Sequence, residues 1–221
     1  MFVQVLNQSD PQWATFGNWL SYHNIMHEDF DLDALDEIYW ENHQAIERIS
    51  KTCGHGDGGH DKFLRMLTIQ CFINAPQYWW MQFDTYKVAT VSVSESKMHT
   101  LGMRKITYDN FEYTQEYLGS NRKKNEETTG VPQCCLEIMQ YLQKTMYNEK
   151  DKDKCKRTFS CLLNMLPMGF LQSRVVQFNC ATLKNMWEKR RHHKLKQWHI
   201  FLDTVINECP EFVKYFLPET N

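Results

Sequence analysis

Residues 166–200 leave the chain few ways to fold. Pro167 blocks a helix at the start of the stretch, and residues 170–178 are rich in aromatic and β-branched side chains, which predicts an extended strand. Asn179 then suits the N-cap of a helix whose buried stripe is Leu183, Met186 and Trp187. Arg190 falls near that stripe and is followed by a second basic residue, Arg191. Another amphipathic helix continues with Leu195, Trp198, Leu202, Val205 and Ile206 and stops before Pro210. An Asn at a helix start and an Arg further along the same helix can face one cavity, an arrangement that suits a phosphorylated ligand.

A chain of 221 residues supports one domain with a real core, so a single domain over 1–221 is expected. Hydrophobic residues make up 42%, which excludes a disordered chain. The net charge of −2 gives no global field for nucleic acid, so an anion site must be a local cluster. The basic groups within 184–196 lie beside an apolar stripe, which also argues against nucleic acid as a partner. The first residues, Met-Phe-Val-Gln-Val-Leu, lack a basic flank or cleavage site, and no run is long enough to span a bilayer. Eight cysteines in no paired spacing read as reduced core residues of a cytoplasmic protein. Cys53, His55 and His60 offer only half of a zinc knuckle, so no metal is expected.

Further elements follow from periodicity. Residues 2–6 alternate as an edge strand, and 11–22 read as a helix with Trp13, Phe16 and Leu20 on one side. A longer helix over 32–50 turns Leu32, Leu35, Ile38, Tyr39, Ile46 and Ile49 inward. The glycines after Thr52 predict a break there. A short helix over 60–66 precedes a strand with Leu67, Ile69, Cys71 and Ile73 on one face. Pro76 opens a helix to about residue 86 that packs on Trp79, Phe83 and Tyr86. Its aromatic residues offer more apolar surface than one helix face can bury within a subunit. Segment 119–130 predicts a mobile surface loop, and 133–147 and 154–165 two more helices.

The landmark spacing resembles the flavin-dependent thymidylate synthases. That family carries a Leu-Pro, an Asn twelve positions after the Pro, a second Asn six further on and an Arg five beyond it, as in Pro167, Asn179, Asn185 and Arg190. Its Ala-Gln-Trp-Glu-Ile-like run matches Lys196-Gln197-Trp198-His199-Ile200 if one residue is inserted, or if Arg191 is the equivalent Arg. Gly59-His60 and Ala75-Pro76 coincide with two further landmarks. The family's Arg-His-Arg signature then falls on Thr85-Tyr86-Lys87, its first Ser on Thr90, its second on Glu95 unless Ser96 takes over, and its final Arg on Lys97. Lys in place of Arg keeps the charge and loses the bidentate fork.

The resemblance implies an α+β fold, a small antiparallel sheet flanked by helices. It further implies FAD as cofactor, with NADPH and methylenetetrahydrofolate as co-substrates, and methyl or hydroxymethyl transfer to C5 of a dUMP-like pyrimidine nucleotide monophosphate. Its sites are shared within a homotetramer. Residue by residue, it assigns Lys97, Ser96, Ser94, Arg190 and Arg191 to the substrate, with Arg190 and Lys97 as a phosphate clamp. His60, Lys87, Thr90, Asn179 and Asn185 fall to the cofactor, and no catalytic residue is named. Taken singly, Lys87 and Lys97 are solvated loop charges, Asn179 is a cap, and Arg190 with Arg191 complements a helix dipole. Two other functions stay open: a nucleotide-binding or sequestering protein that has lost flavin catalysis, and a helical interaction protein without a ligand.

Overall fold

The structure, a computed structural model, describes residues 1–23, 31–56, 59–112 and 133–217; the loop expected over 119–130 lies outside them. Its strands are β1 (Phe2–Gln8), β2 (Thr68–Pro76), β3 (Val91–Ser94) and β4 (Leu171–Asn179). The helices are α1 (Gln12–Leu20), α2 (Leu32–His55), α3 (Gln77–Phe83), α4 (Lys97–Thr100), α5 (Gln133–Asn148), α6 (Lys152–Asn164), α7 (Cys180–Arg190), α8 (Lys196–Glu208) and α9 (Pro210–Val213). Among the described residues no helix is long and apolar enough to cross a membrane.

The four strands form one sheet in the order β1-β2-β4-β3, so β1 is an edge strand as its brief alternation predicts. Gln70 Nε2 donates to Gln177 Oε1 at 2.8 Å, and Asn74 Nδ2 donates to Ser173 Oγ at 2.8 Å. Moving up β2 therefore moves down β4, which makes the pair antiparallel. Ile69, Cys71, Ile73 and Ala75 are fully buried, the period-two face expected of this strand.

Packing divides the chain into two compact units. The first comprises Met1–Phe2, Ile73–Thr85 and Val93–Arg174. Its core gathers Leu101, Ile106, Phe111, Leu136, Met139 and Leu162 around α5 and α6. Buried Gln143 fastens the segment beneath them: its Nε2 donates to the Leu101 carbonyl at 2.8 Å, and its Oε1 accepts the Ile106 N–H at 3.2 Å. In α3, Trp79, Trp80 and Phe83 are at most 2% exposed, so the aromatic helix is buried within the chain. The surplus apolar surface expected on α3 is therefore absent from those three rings. The helix ends at Phe83, short of residue 86, where the Thr85 Oγ1 donates to the Gln82 carbonyl at 2.7 Å.

The second unit comprises Val3–Phe72, Tyr86–Ser92 and Val175–Asn221. Phe16 stacks on Trp19 at 5.7 Å beside Ile46, joining α1 to α2. Trp13, Leu20 and Leu32 are exposed, and the buried face of α1 is Ala14, Thr15, Phe16, Asn18 and Trp19. Residues 60–66 yield a single turn of 3-10 helix at Lys62–Arg65. The expected break after Thr52 does not occur there, because α2 runs on through Gly54 to His55. Gly54 is used for close packing: a Cβ at this position would lie 2.0 Å from the Tyr215 carbonyl oxygen. Lys184 Nζ then donates to the carbonyls of Gly54 at 2.9 Å and Gly56 at 3.2 Å, satisfying acceptors that the helix end leaves open.

Candidate functional site

Asn179 caps α7 as its sequence position predicts. Its Oδ1 accepts the Thr182 N–H at 2.9 Å, and its Nδ2 donates to the Arg65 carbonyl at 3.3 Å. The Thr182 hydroxyl donates to the Val88 carbonyl at 3.0 Å, so the loop 86–90 is fastened to the start of α7. At the other end of the helix, Arg190 Nε donates to the Tyr86 hydroxyl at 2.9 Å. The loop carrying Lys87 and Thr90 is thereby brought alongside the helix carrying Asn179, Asn185 and Arg190. Those two groups come from the separate landmarks of the sequence.

Arg190 is half-buried, and its guanidinium carbon lies 5.0 Å from the Trp198 ring centroid and 5.7 Å from that of Tyr86. Only Nε has a hydrogen-bond partner among the described residues, which leaves the terminal nitrogens to bind an anion. Arg191 takes a different course. It lies 4.0 Å over Trp187 and lines a depression of about 180 Å³ with His199, Leu202, Asp203 and Ile206. The two arginines are adjacent in sequence, and the environments separate them: Arg190 is held between aromatic rings, whereas Arg191 is exposed and shares its depression with a carboxylate.

The remaining residues of this unit differ in what they have free. Lys87 and Asn185 are exposed, and neither has a partner among the described residues. Thr90 donates its hydroxyl to the Tyr86 carbonyl. His60 meets the Tyr22 hydroxyl through Nδ1 at 3.2 Å. It also flanks a cavity of about 420 Å³ lined by Gly17, Asn18, Ser21, Lys62 and Phe63 among others.

Lys97, Ser94 and Ser96 belong to the first unit. Ser94 and Ser96 are exposed, and Lys97 Nζ donates to Gln77 Oε1 at 2.5 Å. Burial lowers the Lys97 ammonium below its ordinary range, the Arg174 guanidinium lowers it further, and Glu95 opposes both. Nothing in the sequence pattern distinguishes Arg174. It lies 4.1 Å over the Trp80 ring and bridges to Asp84 at 2.8 Å, so most of its surface is enclosed.

All eight cysteines are free thiols, with Cys53, Cys71, Cys180 and Cys209 buried and Cys134 and Cys161 exposed. Burial pushes the Cys71 and Cys180 thiols well up, and Cys209 up to about 11, which makes them poor nucleophiles at neutral pH. Among the described residues no three His, Cys, Asp or Glu side chains converge on a metal position.

No model of a known protein family matches the sequence, and no curated protein matches it. Two crystal structures of thymidylate synthase X from Helicobacter pylori, each with FAD and dUMP, match in fold. One superposes with a TM-score of 0.63 at 13% identity, covering 97% of this chain and 97% of that one. The other gives 0.62 at 13% identity, covering 97% and 96%. The chain has the α+β fold of those enzymes, a small antiparallel sheet within a helix-rich protein.

Proposed function

We propose that the chain binds a pyrimidine nucleotide monophosphate of the dUMP kind through Arg190. On this footing it is a divergent flavin-dependent C5 methyl- or hydroxymethyltransferase that draws its one-carbon unit from a folate. The observation that carries the reading is the guanidinium of Arg190, held by Tyr86 and Trp198 with its terminal nitrogens free. A half-buried, preoriented Arg binds a phosphate better than a flexible surface cation does, because less side-chain freedom is lost on binding. The FAD and dUMP bound in the two Helicobacter pylori structures support the choice of ligands.

The residues assigned to FAD fit it in part. Lys87 and Asn185 are free to touch a ligand, and His60 with Lys62 borders a cavity. The side chains of Asn179 and Thr90 are already engaged within the chain. A flavin reduced by NADPH supplies the hydride when it is bound; the chain's own part is to hold the nucleotide. Two measurements on the purified protein divide the readings: calorimetric titration with dUMP, and visible absorption by a copurified flavin. A yellow protein that binds dUMP supports the transferase. A colourless one that binds dUMP, and takes up no added FAD, leaves a nucleotide-sequestering protein. Absence of dUMP binding sinks both.

The same reading implies sites shared within a homotetramer. Light scattering should then return about four times the chain mass of 26.5 kDa at micromolar concentration. A mass of 26.5 kDa would rule out shared sites.

A further inference from the structure

His193 sits in the turn between α7 and α8, and neither the spacing of the landmarks nor the resemblance gives it a role. Its backbone N–H bonds to the Arg190 carbonyl at 3.0 Å, which fixes the two residues beside each other. Both side chains also address one ring: the His193 imidazole meets Trp198 edge-on at 6.5 Å, and the Arg190 guanidinium lies 5.0 Å from the same Trp198.

The protonation of this imidazole is fixed by its surroundings. Nδ1 accepts the Leu195 backbone N–H at 3.1 Å, so the ring proton must be on Nε2. The charged and titratable groups that act on it are Arg190 from α7, Lys194 in the turn and His199 from α8, with no carboxylate among them. Burial first, then these three, lower the imidazole below its ordinary range. A second ring proton would point at the Leu195 N–H and add to a crowd of positive charge. The Nε2–H is left as a donor without a partner among the described residues.

We propose that His193, as a neutral imidazole, is a second contact of the Arg190 site, donating its Nε2–H to an oxygen of the anionic group that Arg190 binds. The proposal rests on Arg190 being the phosphate contact. A neutral donor attracts the anion without adding to the repulsion between Arg190 and Lys194. It also needs no proton from solvent when the ligand arrives.

Calorimetric titration of the full chain with dUMP at pH 7.5 tests this, since the nucleotide phosphate is largely dianionic there, its second pKa being about 6. Two buffers of different ionisation heat report protons taken up on binding. The expected result is no uptake, with the Nε2–H tautomer seen by nitrogen NMR both before and after saturation. His193→Gln, which can present an N–H at a similar reach, should bind within about threefold of wild type. His193→Ala should bind roughly tenfold more weakly, the loss of one hydrogen bond to a charged group. Uptake of about one proton per nucleotide, or equal binding by His193→Ala and wild type, overturns the contact. If wild type binds dUMP and Arg190→Ala does not, losing the His193 contact leaves the Arg190 reading standing. Absence of dUMP binding by wild type fells both together.

Discussion

Arg190→Ala should weaken dUMP binding roughly tenfold to a hundredfold and leave the protein folded. A charge-assisted contact in a partly dry site contributes on the order of 1.5–3 kcal/mol, and that range sets the expected loss. Folding should survive because α7 is held by Leu183 and Met186, which are fully buried, and by the Asn179 cap. The substitution removes one hydrogen bond to half-buried Tyr86 and one cation–π contact over Trp198, whose ring stays enclosed by the core. Lys189→Ala is the control: Lys189 is exposed, and its loss should change binding by less than about twofold. Arg191→Ala should behave like that control, since Arg191 is exposed on Trp187 in a separate depression. Calorimetric titration gives the affinities, and circular dichroism confirms the fold. Equal binding by wild type and Arg190→Ala would sink the phosphate contact. A loss in Arg191→Ala alone would mean that the neighbouring arginine is the ligand.

The largest stability effect should come from Gly54→Ala. The added methyl carbon would lie 2.0 Å from the Tyr215 carbonyl oxygen and 3.0 Å from its carbon, both backbone atoms. A flexible side-chain tip could swing aside, but here a backbone segment between Phe212, Val213 and Phe216 must move, and all of these are buried. Overpacking of this kind costs about 3 kcal/mol or more, which for a chain of this size lowers the melting temperature by on the order of 10 °C. Gly56→Ala, only two residues away, is the contrast. Its Cβ would meet the Cys53 carbonyl at 3.5 Å, an ordinary contact, so stability should stay within about 0.5 kcal/mol of wild type. Thermal unfolding of both variants distinguishes the two cases. A Gly54→Ala protein that melts with wild type would mean that residues 212–216 yield freely.

Gly54 also marks a limit of local sequence. A glycine-rich run looks the same whether its glycines loosen the chain or let another backbone approach, and Tyr215 is far away along the sequence. Tyr86 poses a similar problem, since it continues the helical spacing of Trp79 and Phe83. In the fold the helix has already ended, and Tyr86 turns to Arg190, 104 residues away. Arg174 is hidden within a run of strand residues, and its partner Asp84 is 90 positions distant. By contrast, the alternation of β2 and the Asn179 cap depend on residues a few positions apart, and both are as the sequence implies. The choice between Arg190 and Arg191 cannot be read locally. Both end the same helix, and only the positions of Tyr86, Trp187 and Trp198 separate them.

The pairing of β2 with β4 also sets the order in which this protein can be made. Its two side-chain links join residues 107 and 99 positions apart. As the chain leaves the ribosome, β2 and its run of Ile69, Cys71, Ile73 and Ala75 emerge well before any of β4. During that interval β2 has only β1 beside it and its other backbone edge lies open, the situation in which chains pair with one another instead. Closing so long an intervening segment is also slow compared with forming the α5–α6 hairpin inside it. The hairpin can be complete while the sheet is still waiting for its fourth strand. The yield of native protein therefore depends on how β2 is sheltered during synthesis as well as on the stability of the finished fold.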